Sequence, residues 1–233
     1  MFTVFREYIS DTYKLFYPKI CGACDNSLLK GEEHLCFICS NNLPYTRFEK
    51  IRDNPAEKIF AGRIPIEFAT SLLFFSKAEL TQKILHNIKY NYRKQLAVFT
   101  GKKLGESILS AHTQFQFDAI IPVPLHQKKE LLRGYNQSYL IAEGIATVLN
   151  IPVYNKIIRR TKNTDTQTKK SRSERWENIN NVFETTETAI IQNKHLLLVD
   201  DVLTSGATLE ACVAALKLNE NIKVSIATLA IAF

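Results

Sequence analysis

Nowhere in the 233 residues does an apolar run approach the ~18 consecutive residues that span a bilayer, so no membrane crossing is expected. The opening MFTVFREYISDTYKLFYPKI also lacks the apolar core of a secretory leader, because Arg6, Glu7, Asp11 and Lys14 interrupt it. A cytoplasmic address is expected, with this stretch as an amphipathic helix carrying Phe2, Phe5, Ile9 and Phe16 roughly on one side. Internal repeats and low-complexity tracts are absent. Two common phosphate-binding signatures are missing as well: no G-x4-G-K-[ST] loop with its lysine, and no G-x-G-x-x-G turn. Nor is there a Ser-His-Asp or Cys-His constellation, and the five histidines are scattered.

What is present is an ordinary globular composition, 45% hydrophobic and 23% charged, with room for one moderate domain and a small accessory unit. Thirty Lys and Arg against 23 Asp and Glu leave a formal charge of +7, which favours polyanionic partners without saying anything about fold.

Four of the five cysteines fall in CGACDNSLLKGEEHLCFIC. Cys21 and Cys24 form one C-x2-C pair and Cys36 and Cys39 another, a spacing that can close a tetrahedral four-thiolate shell around a structural zinc. Two disulfides or a redox-active pair are the other readings. A cytosolic chain argues against the first, and neither pair opens a helix after a strand, as thioredoxin-like sites do. The segment has too few apolar residues to fold by burial alone, so the metal is expected to supply much of its stability. Cys212 differs, since Leu209, Cys212, Val213 and Leu216 make a helical stripe that marks it as a core residue.

Residues 1–62 are expected to hold the N-terminal helix, the cysteine module and a polar, proline-marked linker, and residues 63–233 the main domain. Strand patterns at Phe68–Ser76, Phe117–Pro124 and His195–Asp201, and in IKVSIATLAIAF, alternate with helical ones at Ala78–Lys89, Gln95–Ser110, Asn136–Leu149 and Leu209–Leu218. KIIRR and INNVF add two short strand candidates. This alternation predicts an α/β fold, a doubly wound parallel sheet with helices on both faces. Ligands bind such sheets at the C-terminal strand ends. There HLLLVDDVLTSGAT runs from four apolar residues into Asp200 and Asp201, then into the small-residue turn Thr204, Ser205, Gly206, Ala207 and Thr208. Converging backbone N–H groups, hydroxyl donors and a helix N-terminus suit that turn to a phosphate, and the carboxylates suit sugar hydroxyls or a cation.

LLLVDDVLTSGAT closely resembles the phosphoribosyl pyrophosphate (PRPP) motif of type I phosphoribosyltransferases. The cysteine pairs, IKY at Ile88–Tyr90, IIPVPLHQKKELLRGYNQS at Ile120–Ser138 and RTKNTDTQTKKSRSERWENINNVF extend the likeness over nearly the whole chain, which is similar to the ComF family of competence-associated, amidophosphoribosyltransferase-like proteins. Arg133, Gly134, Asn136 and Gln137 match its R-G-[FY]-N-Q element, and Arg160, Thr164, Gln167, Arg175, Asn178 and Phe183 its later pattern. Lys170 and the tail ATLAIAF depart from it.

The resemblance implies PRPP bound with Mg²⁺. Asp200 and Asp201 would contact the ribose hydroxyls as the catalytic pair, and Thr204 to Thr208 would cradle the 5-phosphate. Leu125, His126, Gln127 and Lys128 would form the pyrophosphate loop, with Lys89, Arg133, Arg160 and Arg175 as further ligand contacts. The basic stretch Arg159–Arg175, with seven Lys and Arg against Asp165 and Glu174, would close over the pyrophosphate. Three functions follow: phosphoribosyl transfer to an unidentified acceptor, PRPP or ribose 5-phosphate binding with little turnover, or contact with single-stranded DNA or a competence-machinery protein. For DNA, the interleaved aromatics of IKYNYRK and SERWEN are the candidates.

Overall fold

A computed structural model describes residues 18–76, 79–111, 116–161, 182–218 and 221–233. The expected N-terminal helix, the strand candidate INNVF up to residue 181 and residues 162–175 of the basic loop lie outside them.

Four parallel strands form the sheet, in the order β1 (Phe68–Phe74), β6 (Lys223–Ile231), β5 (His195–Leu203), β2 (Ala119–Pro122). Single bridges lengthen it at both edges, Tyr45 against Leu73 and Ile120 against Val153. The apolar run of β5 is split between faces by the two-residue period of a strand. Leu197 and Val199 enter one core with Ile84, Ile88, Leu96, Leu104, Ile141 and Ile145, from α3 (Leu80–Tyr90), α4 (Lys94–Ser110) and α6 (Gln137–Leu149). Leu196 and Leu198 enter another with Phe60, Leu209, Cys212 and Leu216, from α2 (Pro55–Phe60) and α7 (Ala207–Lys217). Helices therefore cover both faces, as the sequence pattern implies. Cys212 is a fully buried member of the second core.

Helices α4 and α6 pack unusually close. A Cβ added to Gly144 would sit 2.2 Å from the Val98 carbonyl oxygen, and one on Gly101 2.2 Å from that of Ile141, so both positions need glycine.

Three expectations are corrected. Ser40–Arg63, read as a linker, is built structure: a 3₁₀ turn at Phe48–Lys50 and then α2, with Phe48, Ala56 and Phe60 buried. Asn54 caps α2 in a full capping box with Glu57, Pro55 takes the first helical position, and Asn54 Nδ2 donates to the β1 carbonyl of Ala69 at 2.9 Å. The short strands β3 (Ile158–Arg160) and β4 (Phe183–Thr185) pair with each other, antiparallel, outside the main sheet. Each buries one residue and exposes its neighbour (Ile158 beside Arg159, Phe183 beside Glu184), a half-buried pattern that a sheet covered on both faces does not accept. Finally, β5 does not stop at the aspartates. It stays paired to β6 through Asp200 and on to Leu203.

The cysteine module is no appendage. Cys21, Ala23, Leu35, Cys36 and Cys39 pack into the same core as α3, α4 and α6. Helix α1 (Phe37–Asn41) starts at Cys36, whose Sγ accepts from the N–H of Cys39 at 3.4 Å.

Candidate functional site

The acidic pair sits near the end of β5, Asp201 buried and Asp200 half-buried. Two other elements hold it. From the C-terminal turn of α3, Lys89 Nζ pairs with Asp201 Oδ2 at 2.9 Å. From the first turn of α6, Gln137 Nε2 donates to the same oxygen at 2.9 Å, and Ser138 Oγ donates to Asp200 Oδ1 at 2.8 Å. The Asp201 N–H also donates to Asp200 Oδ1, at 2.9 Å. Asp200 Oδ2 and Asp201 Oδ1 are left without a protein hydrogen-bond partner among the described residues.

Asn136 sets α6 in place twice over: its Oδ1 caps the helix by accepting from the Ser138 N–H, and its Nδ2 donates to Val123 O at 3.0 Å. Arg133, half-buried, donates to Gln137 Oε1 at 2.6 Å and lies over the Tyr90 ring at 5.3 Å. The R-G-Y-N-Q element, IKY and the acidic pair are thus one hydrogen-bonded group. The sequence marks Gln137 only as part of the R-G-[FY]-N-Q element, with no role at the site, and does not mark Ser138. Their signal was the N-Q-S run at a helix start, which reads equally well as a simple cap.

Burial and the neighbouring Asp201 push the Asp200 carboxyl from its usual 3.8 to about 7, against the pull of Ser138, the Asp201 N–H and Lys89. A carboxyl raised in the folded state contributes stability that is fully present below about pH 4 and lost as pH rises through about 7. Asp200→Asn should therefore melt higher than the native chain at pH 8, by at most about 4 kcal/mol at ~1.4 kcal/mol per pKa unit, with the gap closing near pH 4. Scanning calorimetry at pH 4, 6 and 8 reads this directly, and a gap independent of pH would contradict it.

After β5, Thr204 and Ser205 are exposed and Gly206 is buried at φ +79°, just before α7 opens at Ala207. Thr208 is exposed in the first turn of α7. Arg63 braces this loop, donating to Ser205 O at 3.0 Å and to Glu210 Oε2 at 2.7 Å. Leu125 and His126 follow β2, beside β5 in the sheet, and Gln127 and Lys128 open α5 (Gln127–Arg133). His126 caps that helix, its Nδ1 accepting from the Lys128 N–H at 3.2 Å. Arg160 lies on β3 over the Phe183 ring at 5.6 Å. Arg175 is outside the described residues.

The second group is the cysteine cluster. The sulfurs of Cys21, Cys24, Cys36 and Cys39 all lie within 4.8 Å of one another, and Cys24 and Cys36 are 3.8 Å apart. Tetrahedral zinc with Zn–S near 2.3 Å needs sulfurs about 3.8 Å apart, so the donor set fits that ion. Burial acts to raise the Cys21 thiol, yet backbone N–H bonds from Cys36, Ala23 and Cys24 outweigh it and bring it down to about 7. The Cys36 and Ala23 bonds measure 3.3 and 3.4 Å. Such donors favour the thiolate that a metal requires.

A family model described as phosphoribosyl transferase domain matches residues 136–232, which take in α6, β5 with its acidic pair, the 204–208 turn, α7 and β6. Competence protein F of Haemophilus influenzae is 41% identical over 96 residues, 40% of this chain and 41% of that protein. DNA utilization protein YhgH of Escherichia coli K12 is 29% identical over 206 residues, 83% of this chain and 88% of that protein. Competence protein ComFC of Bacillus subtilis is 25% identical over 193 residues, 82% and 75% of the two chains. The chain is a homologue of the competence F, ComFC and YhgH proteins, and its residues 136–232 match the phosphoribosyl transferase domain.

Proposed function

We propose that this protein binds PRPP with Mg²⁺ at the end of β5 and transfers its phosphoribosyl group to an acceptor. One observation carries the reading: an acidic pair held by Lys89, Gln137 and Ser138, with one oxygen left on each carboxylate, lies directly ahead of an exposed hydroxyl-rich turn at a helix N-terminus. In this reading Asp200 and Asp201 accept from the ribose hydroxyls. Thr204, Ser205, Ala207 and Thr208 offer N–H and hydroxyl donors to the 5-phosphate, and Gly206 supplies the turn. The bond from the anomeric carbon to pyrophosphate breaks as the acceptor's nucleophile forms the new one, and positive charge builds on the ribose. The carboxylates stabilise that charge, and Leu125–Lys128, with Arg133, Arg160 and Arg175, serve the pyrophosphate side. Mg²⁺, when bound, offsets the charge of the leaving group, and the two remaining carboxylate oxygens are hard donors of the kind it takes. Zinc in the four-thiolate cluster has every position filled by protein, so its part is structural.

The test is calorimetric titration with PRPP and Mg²⁺. Replacing both aspartates by Ala should weaken binding by about 2–4 kcal/mol, since charge-assisted hydrogen bonds contribute ~1.5–3 kcal/mol each and do not simply add. No binding by the native protein at millimolar ligand, or equal binding by the variant, overturns the reading.

A second reading, a surface for single-stranded DNA, has one observation in its favour. Tyr90 and Tyr92 are 60% and 65% exposed, beside Arg93, Lys94 and Arg133. DNA titrated into the same samples separates the two: DNA binding that survives the aspartate replacement places that activity on the basic surface rather than at the acidic pair.

A further inference from the structure

Helix α3 ends between the two groups described above, and its last turn touches both. Asn87 is buried, and its Nδ2 donates to the carbonyl of Gly22 at 2.9 Å. Gly22 lies inside the first C-x2-C turn, directly after Cys21, and its N–H donates to His34 O at 2.8 Å, tying the first cysteine pair to the segment that leads into the second. Two residues beyond Asn87, on roughly the opposite side of the helix, Lys89 reaches Asp201. Between them the Ile88 carbonyl accepts from Tyr135 of the R-G-Y-N-Q element. The turn is locked further from below. Asn91 Nδ2 donates to Asn87 Oδ1 at 2.6 Å, and Arg93 Nη1 donates to Ile20 O, one residue before Cys21, at 2.9 Å.

We infer that Asn87 is a positioning residue that couples the cysteine cluster to the sugar-phosphate site. Metal coordination by Cys21 and Cys24 fixes the turn between them and so the place of the Gly22 carbonyl. That carbonyl fixes Asn87, and the helix end carried by Asn87 sets how Lys89 meets Asp201. A buried amide needs its partner, so a knuckle that loosens must either leave Asn87 Nδ2 unsatisfied or draw the helix end with it. The inference rests on the proposed ligand and metal, and it adds that the metal module is part of the binding site's support. A coupling between two sites is reciprocal: whatever factor the ordered knuckle adds to ligand affinity, the ligand adds to metal retention.

The test uses the full chain loaded with zinc. The chelator concentration that removes half the zinc is measured with and without saturating PRPP and Mg²⁺, for the native protein and for Asn87→Ala. PRPP affinity of the zinc-loaded forms is measured alongside. In the native protein PRPP should raise the required free chelator about 5- to 50-fold, in line with typical coupling factors. Asn87→Ala should bind PRPP weaker by a similar factor and lose most of the protection, while still holding about one zinc. A residue that merely helped the fold would leave the protection intact. The native measurement stands by itself if the variant does not fold. Native protein that binds PRPP but releases zinc at the same chelator concentration overturns the coupling and leaves the proposed function standing, as does full protection in Asn87→Ala. Zinc-loaded native protein that binds no PRPP overturns both.

Discussion

Removing the metal with a strong chelator, thiols kept reduced, is expected to melt residues 19–43 and lower the whole protein's melting temperature. Besides Gly22 and three of its cysteines, the module buries only Ala23, Leu35 and Leu43, too little apolar surface to order a loop of this length. Four sulfurs within 4.8 Å, with N–H donors turned toward Cys21 and Cys36, are costly to assemble unless a cation neutralises the thiolates. Structural zinc binds isolated knuckle peptides with ~10–16 kcal/mol, and most of that free energy is folding. Here the loss also uncovers the face of α3 and α4 on which the module packs, so a destabilisation on the order of 5 kcal/mol is expected. Elemental analysis should give about one zinc per chain, and thermal melts with and without chelator should differ by well over ten degrees. Metal-free reduced protein with an unchanged melt would contradict this.

The second large effect belongs to Gly206. At a turn suited to a phosphate, a branched side chain is expected to crowd the anion and to penalise the unusual backbone dihedrals that glycine tolerates. The structure bears out the second reason and gives the crowding other partners. A Cβ would lie 2.8 Å from Phe60 Cε1 and 2.9 Å from Ile59 Cγ2, pointing into α2. The position is also held at φ +79°, where a β-branched residue is a severe outlier. Gly206→Val should therefore cost about 2–5 kcal/mol of folding stability, from left-handed strain and overpacking together. Ligand binding falls because the loop moves. Chemical denaturation of the variant reads the cost, and an unchanged midpoint together with lost ligand binding would restore the crowding explanation.

The difference in what a side chain would meet shows where the sequence was legible. Strand and helix patterns placed β1, β5, β6, α3, α4, α6 and α7 because each buries a face at its own period, and the paired cysteines fall together as their spacing requires. Asn54-Pro55-Ala56-Glu57 was equally legible as a capping box. The polar residues around it read as a linker, and the buried Phe60 and Ala56 are too few to show a period. Asp200 and Asp201 stood out by chemistry, yet no local pattern says that Lys89, 111–112 positions earlier, and Gln137 close around them. Such partners are set by how α3 and α6 dock on the sheet. The partner of Gly206 is likewise 146 residues away, in Phe60, and only packing reveals it.

A ribose phosphate bound at the end of β5 is the central claim. The most direct measurement is a crystal structure of the zinc-loaded protein with PRPP and Mg²⁺. It should show the 5-phosphate against Thr204–Thr208, with ribose hydroxyls within hydrogen-bond reach of Asp200 Oδ2 and Asp201 Oδ1. Ligand ordered elsewhere on the surface, or a clear turn and acidic pair with no ligand at concentrations far above those of PRPP in cells, would contradict it.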